Sequence, residues 1–153
     1  MAGQATQIAE AVKVEMNATT FTMAFTSVRL FLPLFDFHSM DDLHVTVANN
    51  STTSELVARD GAVEEVHQVD VAVQKRLSGN PAAEATNGTE LDALMELAED
   101  IAQHFRVAGA LPGFTSARYM GHAISPLYDP DLLKTQKLFT SVITLNFNVQ
   151  RNS

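Results

Sequence analysis

Residues 137–151, near the end of the chain, alternate between apolar and polar side chains. One set of positions is apolar apart from the small Ser141, and it consists of Phe139, Ile143, Leu145, Phe147 and Val149. The other set is polar apart from Val142, and it consists of Thr140, Thr144, Asn146, Asn148 and Gln150. A period of two residues over this length predicts a β-strand with one buried side. The polar side has no charge between Lys137 and Arg151, so a partner can cover it with little desolvation of charge.

Strand-like patterns also occur in four earlier segments, which are residues 21–37, 43–48, 63–77 and 117–124. The third of these is the most regular, because Val69, Val71 and Val73 point one way, whereas Gln68, Asp70 and Gln74 point the other way. This alternation predicts a strand with one face against a core.

The first of these segments is apolar on both faces toward its end. It holds more large apolar side chains than a sheet with one solvent face requires, among them Phe31, Leu32, Phe35 and Phe37. Surplus apolar surface of this kind marks contacts with other chains. We therefore expect these four residues, together with the polar positions Thr144, Asn146 and Asn148, to form interfaces.

Two segments have helical periodicity. Residues 6–16 predict a short amphipathic helix within an N-terminal segment, residues 1–18. Thr89 opens the clearer helix, because Asp92 follows three residues later as a capping partner. Its apolar stripe then consists of Leu91, Leu94, Met95, Ala98, Ile101, Ala102 and Phe105. The polar segments 50–61 and 78–88 have no period and predict flexible loops.

This order of elements predicts an α+β fold. We expect an antiparallel or mixed sheet of four to five strands, with the N-terminal helix and the central amphipathic helix packed on it. A length of 153 residues suits a single domain, 1–153. The longest apolar runs fall short of the roughly 18–20 residues that span a membrane. The first residues lack the basic and apolar blocks of a secretory signal.

The charge of the chain argues against nucleic-acid recognition. Its 18 acidic and 10 basic residues give a net charge of −8, and the basic residues are scattered. Proteins that bind DNA need a basic patch to neutralise phosphates. A net negative surface repels DNA, which suits a protein that DNA must slide past.

The residue types available for chemistry form no recognisable site. The chain has no cysteine, which excludes disulfides and thiolate chemistry. Its five histidines form no local ligand pair, and they are His38, His44, His67, His104 and His122. No nucleophile elbow or phosphate-binding glycine motif occurs. We therefore expect no catalytic, cofactor or metal site, and no enzymatic activity.

Four segments together resemble a known family. They are VRLFLPLFDFHSMDDLHVTV (residues 28–47), VHQVDVAVQKRL (66–77), TELDALMELAEDIAQHF (89–105) and LFTSVITLNFNVQR (138–151). A strand leading through a loop into an acidic amphipathic helix, followed by a closing alternating strand, is similar to the tail-terminator or tail-completion proteins of tailed bacteriophages. These proteins lie in the neck, at the head–tail junction.

The resemblance implies a virion structural protein, made in the host cytoplasm, that assembles into a ring, usually hexameric. Such a ring ends the tail tube and joins it to the head–tail connector, while DNA passes through the lumen without specific binding. No cofactor and no membrane is implied.

Two alternatives remain open at this point. One is a head-completion or stopper protein on the portal side of the same junction, which also needs ring interfaces. The other belongs to a different class, a small ligand-binding or enzymatic α+β domain that uses the histidines in a concave pocket.

Overall fold

A computed structural model of the protein describes residues 3–21, 23, 25–29, 43–56, 63–77, 84–125, 131 and 138–151. Within these ranges the helices are α1, Gln4–Ala18, and α2, Glu84–Ala108. The strands are β1, Ser27–Arg29; β2, His44–Leu56; β3, Val63–Arg76; β4, Ala110–Leu111; β5, Phe114–Ile124; and β6, Leu138–Arg151.

The strands form one sheet in the order β1-β2-β3-β6-β5-β4. β1 pairs with β2 in parallel, whereas every other pairing is antiparallel, so the sheet is mixed. The predicted α+β class is confirmed, but the sheet has six strands rather than four or five. The additional strand, β4, has two residues and is too short to show a period. It follows Gly109 and turns back onto β5 through Gly113, whose φ of 86° favours glycine.

Both helices pack on one face of the sheet, which we call the helix face. The strands contribute alternate residues to it, including Val47, Val71, Ile143 and Phe147, each at most 1 % exposed. The helices contribute buried side chains that include Ile8, Val12, Leu94, Leu97, Ile101 and Phe105. Phe105 and Phe147 meet edge to face at 6.2 Å between ring centroids. Full burial of each such side chain contributes about 1.5–3 kcal/mol, so this face supplies most of the stability.

The sheet curls around α1. At one edge, Asn17 of α1 is bonded to Ser27 of β1, with the Ser27 amide donating to Asn17 Oδ1 at 2.7 Å. At the other edge, a Cβ placed on Gly113 would lie 3.7 Å from Ala11 Cβ. α1 therefore contacts both edges of the sheet, and the side chains between these edges form one hydrophobic core.

Two predicted boundaries need correction. β2 continues to Leu56, so residues 50–56 are strand where a loop was predicted. α2 begins at Glu84, so residues 84–88 are helical rather than part of the predicted loop 78–88. Helix formation is cooperative, and the strongly amphipathic turns that follow extend the helix backwards through residues of poor propensity.

The predicted strand at residues 21–37 also needs correction where it is described. Phe21 and Phe25 lie outside any strand and stack on each other at 5.5 Å, against the core. Only Ser27–Arg29 is strand. Phe21, Met23 and Phe25 therefore make core contacts from a connecting segment. Residues 30–42 lie outside the described part of the chain.

Candidate functional site

The polar half of β6 lies on the face of the sheet opposite the helices, which is buried around Thr46, Ala72 and Thr140 and accessible from Thr144 onward; we call this accessible part the open face. Thr144, Asn146 and Asn148 lie there and are half-buried, between β3 on one side and β5 on the other. The predicted direction of these three side chains is therefore correct. The other candidate interface residues, Phe31, Leu32, Phe35 and Phe37, lie outside the described residues.

Asp70 is the centre of a hydrogen-bond network on the open face. Thr144 Oγ1 donates to Asp70 Oδ1 at 2.7 Å from the β6 side. Asn50 Nδ2 donates to both carboxylate oxygens, at 3.0 and 3.1 Å, from the β2 side. One carboxylate on the middle strand, β3, therefore links the side chains of three adjacent strands.

Other polar side chains on the open face are paired in the same way. Asn148 Nδ2 donates to Glu64 Oε1 across β6 and β3. Ser51 Oγ donates to Gln68 Oε1 at 2.8 Å across β2 and β3. Two carboxylates therefore order amides and hydroxyls on this face, whereas the buried Thr140 Oγ1 and Asn146 Oδ1 on the same side of β6 have no hydrogen-bond partner among the described residues.

Asn50 takes part in this network because of a β-bulge that sequence reasoning missed. The register between β2 and β3 shifts between Asn49 and Ser51, so Asn50 has no partner residue on β3. An extra residue of this kind bends a strand and redirects its side chain. Two adjacent asparagines in a polar segment were the available signal, since Asn is frequent where the backbone departs from a regular strand.

A groove lies where α1 meets the two edges of the curled sheet. It has a volume of about 480 Å³, and its lining includes Val14 of α1, Arg29 of β1 and Phe114 of β5. Glu10 lies in it, 2.7 Å from Lys13 Nζ and 3.6 Å from Arg29 Nη1. The hydrogen bond from Lys13 and the nearby guanidinium lower the pKa of the Glu10 carboxyl. The ion pairs neutralise the charges of the groove, which leaves its walls largely apolar.

The described histidines occupy separate places and have different partners. His67 is buried on β3, with Nδ1 3.0 Å from Thr52 Oγ1 and Nε2 3.0 Å from Glu65 Oε2. His104 joins the two helices through Glu15, at 2.9 Å between Nε2 and Oε1.

His122 of β5 contacts the hydroxyl of Tyr119, whose pKa is raised by burial. His44 belongs to β2, and His38 lies outside the described residues. Among the residues that the structure describes, no three His, Asp or Glu side chains converge to hold a metal. The alternative of a histidine-based pocket gains no support from this arrangement.

The described helices include none with the length and apolarity that crossing a membrane requires.

Comparison with known proteins identifies the fold. No family model matches the chain. No curated protein sequence matches it. A solved structure does match, the sheath/tube terminator of the extracellular contractile injection system PVC, determined by cryo-EM in the extended state. The match has a TM-score of 0.50 at 12% sequence identity, and it covers 100% of this chain.

The chain thus has a terminator-like fold, and at this level of identity the likeness concerns the fold alone. It spans 58% of the length of the PVC protein, so that protein contains structure beyond what this chain matches.

Proposed function

We propose that this chain is a structural, non-enzymatic protein that terminates the tail tube of a phage-like particle. The observation that carries the proposal is the fold shared with a sheath/tube terminator over the whole length of this chain. The resemblance of its strand and helix segments to phage tail terminators points to the same role. Its place is then the virion, at the end of the tail tube.

Termination of a tube by many copies of one chain calls for a ring, and we assign a hexameric one. A closed ring uses a heterologous contact, in which two different patches of each subunit meet. One side of the ring contacts the tail tube protein, and in a phage the other side contacts the head–tail connector. DNA passes through the lumen without specific binding, which suits the net charge of −8 because like charge repels DNA.

The open face supplies part of the inner wall of this ring in the proposal. Thr144, Asn146 and Asn148 present uncharged polar groups there, and hydrogen bonds to Asp70 and Glu64 hold Thr144 and Asn148 in place. Uncharged amides and hydroxyls bind phosphates far more weakly than Lys or Arg, so DNA can slide past. The apolar residues Phe31, Leu32, Phe35 and Phe37 remain a proposed contact with another chain.

The experiment is tube assembly in the presence of the purified protein. Tube subunits of the same particle are polymerised with and without the protein, and tube lengths and ends are measured by electron microscopy. The protein should add rings at tube ends and arrest growth. Tubes of unchanged length with bare ends would contradict the proposal.

A double variant, Asn146→Lys with Asn148→Lys, tests the role of the open face. Two new cations in the inner wall should trap DNA or prevent ring assembly, so that infectious particles become rarer. The matched control is Gln103→Lys, which adds a cation on the exposed side of α2. Normal particles from the double variant would remove the open face from the lumen.

Deleting the gene distinguishes a terminator from a head-completion protein. Loss of a terminator yields tails of uncontrolled length, whereas loss of a stopper yields heads that leak DNA. Leaking heads with tails of normal length would overturn the assignment as a terminator.

A further inference from the structure

Two strand edges of the described sheet have no strand beside them. On the outer side of β2, β1 pairs only with Val45, Thr46 and Val47, which leaves residues 51–55 open. On the outer side of β5, β4 pairs only as far as Arg118, and Gly109 accepts a bond from the Tyr119 amide. Residues 120–124 are therefore also open. We call these stretches the β2 edge (residues 51–55) and the β5 edge (residues 120–124).

Both edges are largely exposed; a β-bulge at Met120 marks the start of the β5 edge, and residues 121–124 after it pair regularly with β6. Every residue of the β2 edge is exposed, and the segment contains no Lys, Arg or Pro. On the β5 edge, Met120 is 54 % exposed although it is a large apolar side chain. Proteins normally protect open edges with Lys, Pro or a covering element, because unpaired backbone groups bind other strands. Accessible edges of this length, without Lys, Arg or Pro, fit strand addition by a partner.

The directions of the two edges fit a second copy of this chain. β2, β3, β6 and β5 are joined by three antiparallel pairings, so β2 and β5 run in opposite directions. Rotation about the ring axis does not change the direction of a strand relative to that axis, so β2 of the next copy still runs opposite to β5 of the first. The β5 edge of one copy therefore meets the β2 edge of the next in antiparallel orientation, the same as inside the subunit.

The positions of the edges along their strands fit a closed ring. Within one subunit, Ala123 of β5 pairs with Thr144 of β6, which pairs with Asp70 of β3, which in turn pairs with Ala48 of β2. Ala123 and Ala48 therefore lie at the same height along their strands. If Ala123 pairs with Thr53 of the next copy, the strands are displaced by about four residues, roughly 14 Å at ~3.4 Å per residue. Equivalent strands of neighbouring copies are four strand spacings apart, roughly 19 Å, so this displacement corresponds to strands tilted by roughly 35° from the ring axis.

Pairing Ala123 with Glu55 instead displaces the strands by about six residues, and the tilt becomes roughly 45°. Closed β-barrels have strand tilts of about 35–45°. Pairing with Ser51 displaces the strands by only about two residues and gives a tilt of roughly 20°. The open stretches therefore lie where a closed array of tilted strands requires them, with Thr53 and Glu55 as the favoured partners of Ala123.

The charges of the two edges are complementary. Glu55 of the β2 edge and Arg118, beside the β5 edge, make no ion pair with any residue that the structure describes. Both lie on the open face, because Glu55 is level with Glu64 and Arg118 is level with Asn148. Of the two tilted pairings, that of Ala123 with Thr53 makes them diagonal neighbours across the junction, where long opposite charges attract, so Thr53 is the favoured partner.

We propose that the β2 edge of one copy pairs with the β5 edge of the next, so that strands continue from subunit to subunit around the ring. The inference rests on the proposed function, because it supplies the contact that closes the ring. The partner is a second copy of this chain, recognised by main-chain hydrogen bonds and by the Glu55–Arg118 pair.

Paired cysteines test the contact cleanly, since the chain has no cysteine of its own. Within one subunit β2 and β5 are three strand spacings apart, roughly 14 Å, whereas a disulfide requires Cα atoms within about 7 Å. A disulfide between residue 123 and the β2 edge can therefore form only between copies. Ala123→Cys is combined in turn with Thr53→Cys and Ser51→Cys, which both leave Glu55 and Arg118 in place, and the control is Ala123→Cys with Glu99→Cys, on the exposed side of α2.

After mild oxidation under assembly conditions, the Thr53 combination should give a ladder of covalent oligomers up to the ring size on a non-reducing gel. The Ser51 combination and the Glu99 control should give at least tenfold less. Electron microscopy of the same samples shows separately whether rings form. Rings without any ladder would overturn the strand pairing and leave the terminator role intact, whereas absence of rings on tube ends would contradict the role itself. Equal ladders from all three combinations would show random collision and would also overturn the pairing.

Discussion

Two long strands of the same sheet, β2 and β6, differ in how far their sequences reveal them. β6 alternates along its whole length, and its apolar positions Ile143, Leu145 and Phe147 are buried under the helices as the pattern predicts. β2 alternates only in its first part, around Val45 and Val47. Its second part is the polar run NNSTTSEL, which predicts a loop, yet the structure continues the strand to Leu56.

The difference lies in what covers each strand. β6 has a strand on both sides and helices on one face, so every second position must be apolar. Residues 51–55 of β2 have β3 on one side only, and they are exposed on both faces. No buried face requires apolar residues there, so no period develops. A strand can therefore be specified by its pairing partner alone, and such a strand is available for an external partner.

Removing an apolar side chain from β6 should have the largest effect. Phe147 is 1 % exposed and packs against Phe105, so Phe147→Ala leaves a cavity that its neighbours cannot fill. We expect a loss of about 3–5 kcal/mol in the free energy of unfolding, measured by urea denaturation. Gln150→Ala, at an exposed position of the same strand, is the control and should cost less than about 0.5 kcal/mol. Similar losses from both variants would mean that the helix face is not the core.

Removing the acceptor shared by the two strands should have an intermediate effect. Asp70→Ala leaves Thr144 of β6 and Asn50 of β2 without their carboxylate partner. We expect a loss of about 1–2 kcal/mol, since hydrogen bonds to charged groups are worth more than neutral ones. The control is Asp92→Ala on the exposed side of α2. If the two variants were equally stable, the network on the open face would contribute nothing.

Amide hydrogen exchange compares the two strands directly. Amides of residues 51–55 open by local fraying of an edge, whereas those of residues 141–149 open only when the sheet itself unfolds. We expect exchange at the β2 edge of the unassembled subunit to be at least tenfold faster, equivalent to about 1.4 kcal/mol. Assembly into rings should slow it. Equal protection in the unassembled subunit would contradict the contrast between the strands.

The smallest effect is expected for side chains of the β2 edge. Ser54 is exposed, so Ser54→Ala should change the free energy of unfolding by less than about 0.5 kcal/mol. Thermal unfolding of the unassembled subunit measures this change, with wild type as reference. A loss above about 1 kcal/mol would show that the edge is buried in the subunit.

Much of the fold could be predicted from the sequence, and part of the candidate site could as well. The half-buried position of Thr144, Asn146 and Asn148 follows from the period of β6. The partners Asp70 and Glu64 could not be predicted, because they depend on a register between strands that are distant in the chain. Thr144 and Asp70, for example, are 74 residues apart. The bulge at Asn50 and the two-residue β4 leave no periodic signal at all.

The sequence by itself determined which side of β3, β6 and α2 faces the core, because burial of one face imposes a period that is visible locally. Only the tertiary structure decided the strand order, the registers and the length of β2. These depend on which distant segments pair, and on backbone hydrogen bonds that every residue other than proline can make. The two open edges are a product of that order, so the proposed contact between subunits became visible only once the sheet was known.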